Sequence, residues 1–147
     1  MPRNRTGLFT ASQLRVMILR QQGLTQEEVA ARLGTTRQNI SIMERRAHRN
    51  LQLARETVLA YERLTSRAIV VLEPGTHRID VPRLVVNEAD RAGVRLRANF
   101  TRIYDEIHFR AGQCLSGTEV KSPITVFIFA DGDIKVVPGR VSGEDEL

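Results

Sequence analysis

The sequence predicts an α+β chain in two parts: an N-terminal all-α helix-turn-helix with a long third helix, then a small α+β domain ending in a β-hairpin. Three observations predict it. Apolar residues recur at helical spacing through the first half of the chain. From Ala68 the pattern shortens to Ala-Ile-Val-Val-Leu-Glu, a strand-like run closed by Pro74-Gly75. Near the end, two apolar runs (residues 124–130 and 133–137) flank Asp131-Gly132, a strong hairpin signal. The expected boundary lies near residues 66–68, giving parts 1–67 and 68–147.

In chain order, Ser12 is the expected cap of a first helix over residues 13–22, with Leu14, Met17 and Ile18 on one face and Gly23 as its stop. Thr25 caps a short second helix, and Glu28 three residues later completes a capping box. That helix ends at Leu33-Gly34. Thr35-Thr36 opens a third helix with no Gly or Pro before Pro74. Its apolar stripe runs Ile40, Met43, Ala47, Leu51, Ala54, Val58, Tyr61. Continuous over residues 37–64, it would be on the order of 40 Å long, with Asn50 the expected place for a bend. In the second part, Asp80 caps a helix with Pro82 in its first turn and Gly93 after its end. Residues 94–98 alternate apolar with Arg, as a strand with one exposed face does. Phe100, Ile103, Tyr104, Ile107 and Ala111 return to helical spacing, and Gly112 stops them. The acidic tail, residues 139–147, is expected to fray.

Composition narrows the function classes. Hydrophobic residues are 41% and charged residues 27% of the 147, the balance of a folded globular protein. No apolar run approaches the ~18–20 residues of a membrane span. The basic start lacks the apolar block of a secretory signal, so the cytoplasm is the expected compartment. The single cysteine, Cys114, can form no internal disulfide. The net charge of +5 is divided unevenly: residues 1–67 hold 12 Arg against 5 Glu, which is +7, while residues 68–147 hold 10 cations against 12 acids, which is −2. Such asymmetry points the first part towards a polyanion.

The motif that carries chemistry is the pair of helices around Gly34. A helix-turn-helix needs a small residue where the helices meet, a glycine in the turn, and apolar residues locking the two together. Val29, Ala30, Leu33, Gly34, Ile40 and Met43 fall at those positions. With Ile40 and Met43 buried, the third helix presents Thr36, Arg37, Gln38, Asn39, Ser41 and Ile42, with no acid before Glu44. Arg suits guanine O6 and N7, Asn and Gln suit adenine N6 and N7, and Ile42 suits a thymine methyl. These six are the expected base readers. Thr25 and Gln26 at a helix N-terminus, with Arg45, Arg46 and Arg49, are the expected phosphate contacts. A helical hairpin that binds another protein would share the packing positions, but a protein-binding face would show more large apolar residues at its centre.

These residues also carry a family resemblance. Thr25-Gln26-Glu27-Glu28-Val29-Ala30, Leu33 through Ser41, Glu44-Arg45-Arg46-Ala47, and Asn50-Leu51 through Thr57 resemble the archaeal Tfx-type DNA-binding proteins. Pro82 through Val86, Glu88-Ala89-Asp90, Gly93-Val94 and the closing hairpin extend the likeness over nearly the whole chain. Met43 departs from the branched aliphatic residue expected there. The resemblance implies a sequence-specific transcription regulator with a sigma-factor-like helix-turn-helix.

The second part carries no nucleotide-binding glycine motif and no catalytic constellation. His77, His108 and Cys114 match no zinc spacing. The expectation is therefore no enzyme, no metal and no cofactor. A role in homodimer formation, in sensing a small-molecule effector, or in contact with the transcription machinery fits an accessory domain. Residues 124–129 are apolar on both faces of a strand, so that strand is central in a sheet or covered, a subunit interface being one possible cover.

Overall fold

A computed structural model of the chain describes residues 4–141. The described residues form two compact units, one ending at Ala60 and one beginning at Tyr61. The change falls inside a helix, upstream of the composition change near residues 66–68.

The first unit opens with a short hairpin, β1 (Arg5–Thr6) and β2 (Phe9–Thr10), that the sequence pattern did not predict. Helix α1 (Ala11–Gln21) follows directly, and Thr10 rather than Ser12 is its cap. Thr10 Oγ1 accepts from Gln13 N–H at 3.1 Å and Gln13 Oε1 accepts from Thr10 N–H at 3.1 Å. Thr10-x-x-Gln13 is a capping box, which satisfies two helix-end amides where Ser12 would satisfy one. Helix α2 (Gln26–Leu33) has the expected Thr25–Glu28 box. Helix α3 (Arg37–Thr65) is a single helical element. The helix is unbroken at Asn50, whose Nδ2 donates to Leu8 O at 3.1 Å and Gln13 Oε1 at 3.3 Å. Val16, Leu19, Val29, Ala30 and Ile40 form the core, with Leu24, Leu33 and Met43 packed on it.

In the second unit, β3 (Ser66–Leu72), β6 (Ile124–Phe129) and β7 (Ile134–Pro138) make an antiparallel sheet with β6 in the centre. Between β3 and β6 run α4 (Val81–Arg91), α5 (Phe100–Ala111), and a small hairpin of β4 (Leu115–Ser116) and β5 (Glu119–Val120). Residues alternate across a strand, so Val70, Leu72, Ile124, Val126, Ile128 and Val136 share one sheet face. They pack with Val81, Val85 and Ala89 of α4 and Ile103, Ile107 and Ala111 of α5. On the other face Phe127 and Thr125 are also fully buried. Lys135, opposite Phe127, reaches Glu62 of α3 at 2.6 Å. The two-sided apolar strand is thus covered within its own chain, and it needs no subunit interface.

Three further expectations are corrected. Asp80 precedes α4, but its side chain makes no cap bond and instead accepts from Arg83 at 3.1 Å; a 3-10 turn over Arg78–Asp80 leads into the helix. Residues 94–98 form no strand. Their burial alternates as predicted, with Val94 buried and Leu96 and Ala98 packed on the core, but Arg97 N–H donates to Gly132 O in the hairpin loop (3.1 Å) rather than to a strand. The residues of the expected frayed tail that are described are held: Gly139 N–H donates to Pro123 O, Thr125 Oγ1 bridges Gly139 O and Val141 N–H, and Arg140 forks onto Glu73. That fork holds the Glu73 carboxyl below its usual range. The remainder of the tail lies outside the described residues.

Candidate nucleic-acid interface

The turn between α2 and α3 is built on Gly34, whose φ of 68° and ψ of 39° lie in the left-handed region. There a side chain costs energy and glycine does not. Gly34 and Thr35 both send their N–H groups back to Ala30 O, closing the end of α2. Thr36 then caps α3, its Oγ1 accepting from Asn39 N–H at 3.2 Å. Val29, Ala30 and Ile40 are buried where the helices meet, with Leu33 and Met43 packed around them. All six positions read as the motif's packing set therefore meet around one turn.

A polar bridge fixes the same helices from the other side, and the sequence reading missed it. Glu44 on α3 accepts from Arg20 Nε of α1 at 3.0 Å and from Gln26 Nε2 of α2 at 2.9 Å. Arg20 Nη1 also donates to Leu24 O at 2.7 Å, tying in the intervening turn. Burial pushes the Glu44 carboxyl up. The hydrogen bonds from Gln26 and Arg20, with the charges of Arg20 and His48, outweigh it, so the carboxyl is held below its ordinary range. The available signal was Glu44 itself, the first acid on a helix that otherwise opens with neutral and basic residues.

At about 100° per residue, Ile40 and Ala47 define the inner face of α3, and both are fully buried. On the opposite face Gln38, Ile42, Arg45 and Arg49 fall in line, and all four are exposed. Arg37, Asn39 and Arg46 flank them, also exposed, and Ser41 is half-buried. The expected readers are therefore unequally free. Arg37, Gln38 and Ile42 extend from the surface. Thr36 uses its hydroxyl as a helix cap, and Asn39 Nδ2 donates to Thr35 Oγ1 at 2.9 Å. The expected phosphate contacts divide in the same way. Arg45, Arg46 and Arg49 are exposed along α3, whereas the Thr25 hydroxyl is a cap and the Gln26 amide is held by Glu44. Glu27 and Glu28 share the first turn of α2 with Gln26.

Among the described residues, no three His, Cys, Asp or Glu side chains gather where they could hold a metal. His77 Nδ1 accepts from Ile79 N–H, His108 faces Arg78, and Cys114 is buried. No described helix is long and apolar enough to cross a membrane.

Comparison with known proteins agrees with this geometry. Residues 16–55 match the helix-turn-helix family, and residues 54–136 match the family described as DNA-binding protein, TFX, C-term. The chain is 35% identical over 128 residues to a "Putative transcriptional regulatory protein" of Methanocaldococcus jannaschii, covering 87% of this chain and 93% of that one. It is 41% identical over 88 residues to a protein of the same description from Thermococcus kodakarensis, covering 60% of this chain and 58% of that one. It is 27% identical over 128 residues to "DNA-binding protein Tfx" of Methanothermobacter thermautotrophicus, covering 87% and 93%. The chain belongs to the Tfx family of DNA-binding proteins.

Proposed function

We propose that the protein is a sequence-specific transcription regulator that lays the first turns of α3 in the major groove of double-stranded DNA. One observation carries this reading: the face of α3 opposite Ile40 and Ala47 is the line Gln38, Ile42, Arg45, Arg49, exposed and free of acids. Arg37, Gln38 and Ile42 have side chains free to meet base edges. Ser41 sits beside them, and Thr36 and Asn39 reach bases after exchanging their cap bonds. Further along the helix, Arg45, Arg46 and Arg49 hold phosphates. At the start of α2, Gln26 approaches the backbone through its main-chain amide, and Thr25 does so after releasing its capping box, since both side chains and the Thr25 N–H are occupied. Its place of action on this reading is the cytoplasm, where the DNA of cells without a nucleus lies.

We also infer that the regulator works as a homodimer, because one short recognition helix binds weakly and paired half-sites lie one helical turn (~34 Å) apart. The exposed apolar residues Leu53, Val58, Tyr61 and Leu64 of α3 are the surface assigned to the second copy. Light scattering at micromolar concentration should give twice the chain mass, and a monomer both free and on DNA would remove the claim.

Selection from a random DNA pool supplies the preferred site. Gln38→Ala should then weaken binding to that site by roughly 1–3 kcal/mol and relax one base position. Arg49→Ala should weaken all sequences alike and flatten the slope of log affinity against log salt by about one unit. If the two variants behaved identically on selected and scrambled DNA while circular dichroism showed both folded, α3 would not be the reading helix.

A further inference from the structure

The second unit contains an open cleft of about 590 Å³ between the 3-10 turn ahead of α4, the start of α5 and the β4–β5 turn. Its volume lies within the roughly 300–1,000 Å³ of small-molecule sites. Ile79, Pro82, Phe100 and Tyr104 give it an apolar wall, and Arg78, Thr101 and Thr118 supply polar groups. Ile79 and Phe100 are 75% and 55% exposed.

Arg78 is the informative residue. Its side chain is half-buried, and everything it touches is neutral. Nη1 donates to Gly117 O at 2.7 Å, Nη2 donates to His108 Nδ1 at 3.2 Å, and the guanidinium lies 5.6 Å from the centre of the Tyr104 ring. Its Nε is buried with no acceptor. The guanidinium is always charged, and a partly buried charge is costly unless paired. Four other arginines of this unit have acids, Arg83 with Asp80, Arg91 with Glu88, Arg110 with Glu106 and Arg140 with Glu73, while Arg67, Arg95 and Arg102 lie exposed in water. Asp80, two residues from Arg78, is turned to Arg83 instead. Among the described residues no carboxylate pairs with Arg78. Phe100 and Thr101 open α5, where first-turn amides lack helical acceptors and the helix dipole favours negative charge.

We propose that this cleft binds a small organic acid: a carboxylate held by the Arg78 guanidinium and the start of α5, with an aromatic body against Phe100, Ile79 and Tyr104. A flat guanidinium edge matches a carboxylate in two-pronged fashion. The apolar wall gives the rest of the molecule a reason to leave water. The assignment concerns the second unit alone and is independent of the reading of α3.

The test uses the full chain without DNA, so its outcome is separate from that of the DNA titrations. Phenylacetate and indole-3-acetate are titrated against the 15N-labelled protein, with phenylacetamide as the uncharged control. The acids should shift the amides of Thr101, Gly117 and Thr118 saturably, and the amide control should bind at least about tenfold more weakly, which is 1.4 kcal/mol. Arg78→Gln should lose most of the carboxylate preference, and Phe100→Ala should weaken both acids several-fold. Phe100 is a surface side chain, so that variant remains interpretable even if Arg78→Gln disturbs the fold. Failure of both acids to saturate at low-millimolar concentration, equal binding of the amide, or unchanged binding in Phe100→Ala would each overturn the proposal.

Discussion

The helix-turn-helix unit and the sheet unit each turn on a glycine with positive φ, and the two glycines sit in opposite surroundings. Gly34, between α2 and α3, has a φ of +68° and open space around it: an added methyl would meet nothing within 4 Å. Gly132, between β6 and β7, has a φ of +88°, and a methyl there would fall on the main-chain oxygen of Arg95 and against Arg97. The crowding is local to one loop: Gly75, Gly93, Gly117 and Gly139 of the second unit also have positive φ and open space around them. The described first unit has a core cluster of five buried residues plus the Glu44 bridge, while the second has fifteen in one cluster. The turn at Gly34 stands in water, and the exposed surface around it is available for contact. In the second unit the loop after α4 is pressed on the hairpin, and main chain meets main chain.

The largest effect that would break this comparison is at Gly132. Gly132→Ala combines left-handed strain of roughly 1–2 kcal/mol with an overpacking cost of roughly 1–3 kcal/mol. The substitution should therefore destabilise the second unit by roughly 2–5 kcal/mol. Hydrogen exchange resolved by residue should show the loss in β6, β7 and α5. Exchange in those elements unchanged from the parent protein would mean that the loop over residues 94–98 yields easily and that the close approach has no energetic weight.

Local signals were legible in the sequence, and long-range pairings were not. The Thr25 capping box, Gly34, the Val29–Ala30–Ile40 lock and the Asp131-Gly132 hairpin depend on neighbours a few residues apart or on steric rules for one motif. Residues 94–98 alternate correctly in burial, but a strand also requires a partner edge, and the pattern of one segment does not contain its partner. Thr10 and Gln13 stand at capping-box spacing, a local signal that outranks the lone hydroxyl of Ser12. The Glu44 bridge joins positions 18 and 24 residues apart, so no local rule points to it. At the candidate interface, the sequence placed the exposed face of α3 correctly but not the cap bonds that occupy Thr36 and Asn39, because these depend on side-chain rotamers.

The polar bridge gives the next effect in size and sharpens the contrast between a thin core and a full one. Glu44→Gln removes the charge from two hydrogen bonds, and bonds to charged groups contribute about 1.5–3 kcal/mol; retention of one bond by the amide brings the expected loss to about 1–2 kcal/mol. The loss should appear in α1, α2 and the start of α3 and leave the sheet unit's exchange unchanged. Its pH dependence has a definite sign. The folded-state carboxyl is held below its ordinary range, so the charged form is favoured by folding. The bridge therefore stabilises fully above the unfolded value and loses that contribution as pH falls through the folded one. The gap between parent and Glu44→Gln should be constant near neutrality and shrink in acid, below the ordinary carboxylate range. A gap that widened in acid would reverse the assignment.

The effect at Gly34 is no larger than that at Glu44, and it is the most exacting check because two outcomes must hold together. Gly34→Ala places a methyl in open space, so the cost is conformational alone, roughly 1–2 kcal/mol. That is below the expected loss at Gly132, where the same strain is joined by a clash. Relief of the strain requires the φ of residue 34 to leave the left-handed region, and α3 leaves this turn two residues later with Thr36 as its cap. Gly34→Asn supplies the control, since asparagine tolerates that region far better than alanine. Asparagine should therefore recover part of the stability that alanine loses. At position 132 it should recover at most the conformational part and leave the clash, because its Cβ meets the same main-chain atoms. Equal losses for alanine and asparagine at position 34 would show that the turn is limited by space, and the contrast between the two glycines would collapse.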